Sequence, residues 1–233
     1  LYFIGVIYIM NIWTFLLTAF AFIGGWFIKK VFERALDKTI GKPVDELLES
    51  AFNTMQEYLS KNTPKEVKSK ASEGDPEAQF NLGNMYYFGK IVKEDYEKAV
   101  KWWRKAAEQG HVEAQCNLAF MYYEGEGVAQ DYEEAVKWYR KSAEQGDANA
   151  QLNLGFAYYE GEGVAQDYEE AVKWFRKAAE QGDASAQNNL GFAYEHGEGV
   201  AQDYEEAVKW WSKAARQGNE IAQNALKKRG ETW

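Results

Sequence analysis

GEGVAQDYEEAVKW occupies Gly125–Trp138 and recurs unchanged at Gly161–Trp174 and Gly197–Trp210, each copy thirty-six residues after the last. Outward from these copies the whole register repeats: Ala78 is matched by Ala114, Ala150, Ala186 and Ala222. Each unit holds two stretches with apolar residues at three- and four-residue steps, the spacing of one helix face. The first stretch places Ala150, Leu154, Ala157 and Tyr158 on its core side. The second places Ala135, Val136, Tyr139 and Ala143 there, with Trp138 beside them.

The punctuation between stretches has physical reasons. Asp131, Asp167 and Asp203 stand where an N-cap belongs, and Glu134, Glu170 and Glu206 three residues later predict capping boxes. The first unit has Asp95 followed by Lys98 and keeps only half of that signal. Gly110, Gly146, Gly182 and Gly218 close the second helices, where a left-handed residue is needed. Asp75, Asp147 and Asp183 cap the helices that follow, Asp75 with Pro76 at the favoured first position. Glu133 and Lys137 are spaced for a four-residue ion pair worth a few tenths of a kcal/mol. Ala150 and Gly155 stay small so that a neighbouring helix can come close.

A single helical hairpin of this length cannot bury both of its apolar faces. Stacked copies cover one another, and the shared GEGV turn fixes the step between them. The third unit carries Ala150, Leu154, Gly155, Tyr158, Tyr159, Gly161, Gly163, Val164, Asp167, Tyr168, Ala171, Trp174, Ala178, Ala179 and Gly182. That pattern resembles the Sel-one-like repeat (SLR), a relative of the tetratricopeptide repeat, over roughly residues 71–230. The resemblance implies an all-α fold, a right-handed α-solenoid of helical hairpins whose members mostly assemble protein complexes. It implies no catalytic residues.

Some positions depart from the pattern. Unit one replaces the GEG turn by Gly89-Lys90-Ile91, unit two has Ala119 where the others have glycine, and unit four has Glu195-His196 in place of Tyr159-Glu160. Ala71–Gly74 matches the close of a second helix. Asn219–Gly230 matches a first helix that turns polar with Lys227 and Lys228, as expected of end caps.

Residues 1–28 contain no charged side chain, and Lys29, Lys30, Arg34 and Lys38 crowd the following flank. Such a run is long enough to span a bilayer. It is too long, and too bulky at Trp26, Phe27 and Ile28, for the competing signal-peptide reading. The basic flank places the repeats on the cytoplasmic side; a single-pass protein of a bacterial inner membrane is expected. Asn11, Thr14, Thr18, Ala21 and Gly25 fall on one helical stripe, which reads either as a docking seam for another membrane helix or as chance. Between the span and the repeats, Val44, Leu47, Leu48, Ala51, Phe52, Met55, Tyr58 and Leu59 form one apolar face of an amphipathic helix. The expected organisation is therefore a transmembrane helix over 1–30, a juxtamembrane connector and half-repeat over 31–74, four repeats over 75–218 and a capping helix over 219–233.

The net charge is −9, and residues 75–233 carry essentially all of it, which speaks against nucleic-acid binding. His111, His196 and Cys116 fall at no metal-ligand spacing, the GEGV glycines precede no lysine-plus-hydroxyl pair, and no catalytic, cofactor or metal site is expected. Glu195-His196 reads as a surface substitution rather than an acid–base pair, and Cys116 as a semi-buried thiol. A hydrolase-like enzyme is the remote alternative.

The resemblance implies that first helices line the concave face. Asn81, Asn117, Asn153 and Asn189 recur there beside Gln79, Gln115, Gln151 and Gln187. Such amides can hydrogen-bond the backbone of an extended partner, with Phe80, Asn84, Phe120, Phe156 and Phe192 setting specificity. The favoured alternative is that they tie adjacent hairpins together. The expected partners are other proteins, including a membrane protein or a second copy through the Asn11–Gly25 stripe, and the lipid bilayer, with no small-molecule substrate or cofactor. The expected role is a membrane-anchored scaffold, as an accessory subunit of a larger membrane complex or as a free-standing tethered adaptor.

Overall fold

The structure, a computed structural model, describes residues 63–89 and 92–233. The expected membrane span with its Asn11–Gly25 stripe, and the amphipathic connector helix, lie outside these residues. Among the described residues no helix is long and apolar enough to cross a membrane. The chain divides into two units, Leu1–Ser69 and Lys70–Trp233. Of the first, the described part is the opening of helix α1 (Pro64–Glu73).

The second unit is a run of helical hairpins. Unit 1 comprises α2 (Pro76–Phe88) and α3 (Tyr96–Glu108), and unit 2 comprises α4 (Val112–Glu124) and α5 (Tyr132–Glu144). Unit 3 comprises α6 (Ala148–Glu160) and α7 (Tyr168–Glu180), unit 4 comprises α8 (Ala184–His196) and α9 (Tyr204–Arg216), and α10 (Glu220–Lys228) follows. From α2 onward each helix packs on its neighbours in sequence, within a hairpin and between consecutive hairpins. This is an all-α solenoid.

The predicted core faces are the buried ones. Ala150, Leu154, Ala157 and Tyr158 are buried on α6, and Ala135, Val136, Trp138, Tyr139 and Ala143 on α5. Small residues pay for close approach: a Cβ built on Gly155 would lie 2.6 Å from the Phe175 ring of its hairpin partner. The same slot holds Gly83 against Trp103 and Gly191 against Trp211.

All the predicted aspartate caps form. Asp147 Oδ1 accepts from Ala150 N at 2.7 Å, and Asp131 Oδ1 accepts from Glu134 N at 3.0 Å. The reciprocal half of the capping box does not form. Asp131 N donates instead to the Tyr122 carbonyl at 2.9 Å, across the turn, so it offers nothing for Glu134 to accept. Freed from that role, Glu134 takes Lys137 at 2.7 Å, and Glu170–Lys173 and Glu206–Lys209 repeat the pair. The predicted Glu133–Lys137 pair is thus replaced by a three-residue one. In unit 1, Lys98 Nζ reaches the cap itself, Asp95, at 2.6 Å.

The GEGV turn joins units through its second glycine. Gly163 sits at φ +68°, and a Cβ there would overlap the Tyr132 carbonyl at the start of the preceding unit's second helix. Gly127 meets Tyr96 and Gly199 meets Tyr168 in the same way. In unit 1 the sequence has Ile91 in place of this glycine.

Candidate functional site

The two amide rows of the first helices have different fates. The glutamines are about 4% exposed and turn inward. Gln79, Gln115, Gln151 and Gln187 each donate through Nε2 to the carbonyl of Ala71, Ala107, Ala143 or Ala179 on the helix before, at 3.0–3.1 Å. Each also accepts through Oε1 from the glutamine that ends the second helix of its own hairpin: Gln109, Gln145, Gln181 and Gln217, at 2.7–2.9 Å. This second glutamine row escaped the sequence reading. Its signal was the Gln-Gly that closes every second helix, read only as a glycine stop.

The asparagines are not consumed this way. Asn81 donates weakly to Glu77, at 3.4 Å. Asn117, Asn153 and Asn189 are half-buried, and among the described residues their side chains make no hydrogen bond. Three residues along, on the same helix face, stand Phe120 and Phe156, each 39% exposed, and the half-buried Phe192. Phe156 and Phe192 rest edge-on against Phe175 and Trp211. Asn117 and Phe120 line a shallow cleft of about 110 Å³ with Asn84, Tyr87, Phe88 and Trp103. Ligand pockets run to several hundred Å³, so the cleft suits one side chain better than a metabolite. Phe80 leaves this stripe: it stacks on His111 with ring centroids 4.5 Å apart.

Asn84 occupies the slot of the three phenylalanines and accepts from Trp103 Nε1 at 3.1 Å. Trp211 holds the tryptophan slot in unit 4 opposite Phe192, and among the described residues its buried Nε1 has no acceptor.

The chemically suggestive residues have structural roles. His111 is an N-cap, its Nδ1 accepting from Ala114 N at 3.3 Å in the place of Asp147 and Asp183. Burial pushes the Cys116 thiol well above its ordinary range, with Asp147 adding to the effect, so it is no ready nucleophile. Glu195 is not a surface substitution: it is largely buried and ion-paired with Arg229 beyond α10. His196 Nδ1 lies 3.0 Å from the Phe192 carbonyl. Among the described residues no group of His, Cys, Asp and Glu is arranged to hold a metal ion.

The unit-4 departures share one cause. Tyr123 and Tyr159 donate to Glu162 and Glu198 of the next unit's GEGV turn at 2.7 and 2.8 Å. Arg140 and Arg176 donate to Tyr158 and Tyr194 on the next unit's first helix. In unit 4 these slots hold Glu195 and Ser212, because the helix that follows, α10, has nine residues and no tyrosine to meet them.

The tyrosine–glutamate bonds make a prediction. The carboxylate acceptor, then burial, raise the Tyr123 and Tyr159 hydroxyls to about 12. A raised folded-state pKa keeps its stabilisation below the ordinary tyrosine pKa of about 10 and loses it as pH climbs toward 12. Urea titrations of the full chain across that window should show a shallower alkaline loss for Tyr123→Phe/Tyr159→Phe than for the parent. Equal slopes would remove the bonds from the coupling.

Comparison with known proteins follows the same register. The Sel1 repeat family model matches residues 76–111, 112–147, 148–183 and 184–219. The chain is 48% identical to c5321, a protective antigen of uropathogenic Escherichia coli with an SLR fold, at a TM-score of 0.69, covering 71% of this chain and 35% of that one. It is 42% identical to a Sel1 repeat protein of Oxalobacter formigenes, at a TM-score of 0.65, covering 70% and 66%. It is 51% identical over 41 residues, 7% of the relative's length, to the sel1-like repeat-containing protein L18 of Acanthamoeba polyphaga mimivirus. The chain spans about a third of the first of these proteins and under a tenth of the last. Four consecutive units, tied by glutamines and by glycine turns in one register, make this chain a member of the Sel1 repeat family.

Proposed function

We propose that the chain is a membrane-anchored protein-interaction scaffold that holds an extended partner segment along its first helices, as an accessory subunit of a larger membrane assembly. The carrying observation is the contrast between amide rows. Stacking consumes the first-helix glutamines, whereas among the described residues Asn117, Asn153 and Asn189 keep their donors and acceptors unspent beside Phe120, Phe156 and Phe192, the first two exposed. A row of half-buried amides with free donors and acceptors suits the main chain of an extended peptide, and aromatic neighbours suit its side chains. The proposed division of labour keeps residues 1–30 in the membrane, 31–74 as connector, 75–218 as repeats and 219–233 as cap. No residue takes a catalytic role. Support for the anchor is the charge-free run of residues 1–28 and the basic flank that follows it. The small-residue stripe Asn11, Thr14, Thr18, Ala21 and Gly25 would dock a membrane partner or a second copy.

Two sets of variants test this in gentle detergent extracts. Ala21→Leu/Gly25→Leu should strip a co-purifying membrane partner while leaving soluble partners bound. Asn153→Ala/Phe156→Ala should do the reverse. Retention of the membrane partner by the first variant leaves a free-standing tethered adaptor; retention of everything by both removes the scaffold reading.

A further inference from the structure

Charge is segregated between the two helices of every hairpin. Residues 109–131, 145–167 and 181–203, which contain α4, α6 and α8 with their turns, hold no lysine or arginine at all. They do hold acidic residues, and Glu113, Glu124 and Glu160 are exposed on the same helix faces as Asn117, Phe120, Asn153 and Phe156. The spacings decide this: Glu113, Asn117, Phe120 and Glu124 follow one another at four, three and four residues, a single stripe. In units 1 to 4 the helical cations sit on the second helices. There Lys105, Lys141, Lys177 and Lys213 lie over Trp102, Trp138, Trp174 and Trp210 at 3.7–4.6 Å, and Arg104, Arg140 and Arg176 cover Tyr122, Tyr158 and Tyr194.

We infer that the occupant of this face is an extended peptide segment of another protein bearing lysine or arginine between apolar side chains. The inference rests on the binding face proposed above and adds the chemistry of what it takes. The amides meet the peptide main chain, the phenylalanines and the cleft at Asn84–Phe120 take apolar side chains, and the flanking carboxylates select cations and repel acidic segments. An extended chain rises about 3.3 Å per residue, so a segment of about 12 residues reaches about 40 Å along the stack. The chain's own basic stretch is the rival occupant: Lys29, Lys30, Arg34, Lys38 and Lys42 stand among only Glu33 and Asp37. The sequence suggests that this stretch continues the expected span as a helix up to Gly41-Lys42-Pro43, and a helix would have no free main-chain groups to give an amide row.

The test selects displayed peptides about 12 residues long, enough to cross the three free asparagines, on the full chain in a non-ionic detergent. The selected peptides should be cationic and apolar. Binding of the strongest, followed by fluorescence anisotropy, should weaken about tenfold at low salt in Glu113→Gln/Glu124→Gln/Glu160→Gln, with the difference vanishing at high salt. Asn117→Ala/Asn153→Ala should weaken it about tenfold or more at every salt concentration. Both variants should melt with the parent, since none of these side chains ties hairpins together. Neutral or acidic selected peptides that still depend on the asparagines would overturn the charge inference and leave the scaffold standing. Peptides indifferent to both variants would overturn both. Displacement of the selected peptide by a synthetic copy of residues 29–42 at comparable concentration would assign the face to this chain's own segment and end the inference.

Discussion

Gly163→Ala should destabilise the protein by about 3 kcal/mol and lower its melting temperature by about 10 °C. Two costs combine. A non-glycine residue held in the left-handed region loses about 1–2 kcal/mol, and Gly163 sits at φ +68°. The new methyl would also overlap the Tyr132 carbonyl and lie 2.8 Å from Glu133 N, which are main-chain atoms at the start of α5. They cannot rotate away, so units 2 and 3 must part or the turn must deform. Because each hairpin is buried only by its neighbours, damage at one junction weakens coupling along the whole stack. Gly155→Ala is the control. Its methyl would meet the Phe175 ring at 2.6 Å, a side chain that can shift, and unit 2 natively carries Ala119 in that slot beside buried Tyr139. That change should cost less than about 1.5 kcal/mol. Thermal melts of the full chain in detergent, followed by far-UV circular dichroism, separate the two. Equal losses would mean that the turn glycine is not what fixes the junction.

The same pair of glycines shows what could be read from the sequence. Hairpins, caps and buried faces were legible because they depend on residues close together in the chain, and the thirty-six-residue register repeats them. What escaped depends on partners carried by other helices. Glu134 looked like half of a capping box, but the Tyr122 carbonyl, arriving from the first helix, had already taken the proton donor. Glu195 looked like surface drift, but its partner Arg229 stands two helices on, at the end of α10. Within the four units glutamines and asparagines repeat with equal fidelity, and only α10, which keeps Gln223 but has Ala225 in the asparagine slot, separates them in the sequence. Geometry separates the row that stacking uses from the row left for a partner. The candidate site was therefore legible as a set of residues and not as a choice between two rows.

That choice carries the second large effect. Gln151 is about 4% exposed, donates to the Ala143 carbonyl at 3.0 Å and accepts from Gln181 at 2.8 Å. Gln151→Glu keeps the shape and deletes the donor. At neutral pH it sets a carboxylate against a carbonyl oxygen in a site closed to water, a cost of about 3 kcal/mol or more. Protonation restores a hydroxyl donor toward Ala143 and a carbonyl acceptor for Gln181. Burial therefore raises the folded-state pKa above the ordinary glutamate value of about 4.3. The sign follows: relative to the parent the variant should be nearly as stable below that pH, and should lose ground as pH rises through the folded-state pKa. Gln151→Leu, with no charge to bury, should cost about 1–2 kcal/mol at every pH. Parent and variants compared by urea titration between acid and neutral pH decide the matter. A pH-independent deficit in Gln151→Glu would mean that the glutamine row fills space without carrying hydrogen bonds, and the asparagines would lose their standing as the row held in reserve.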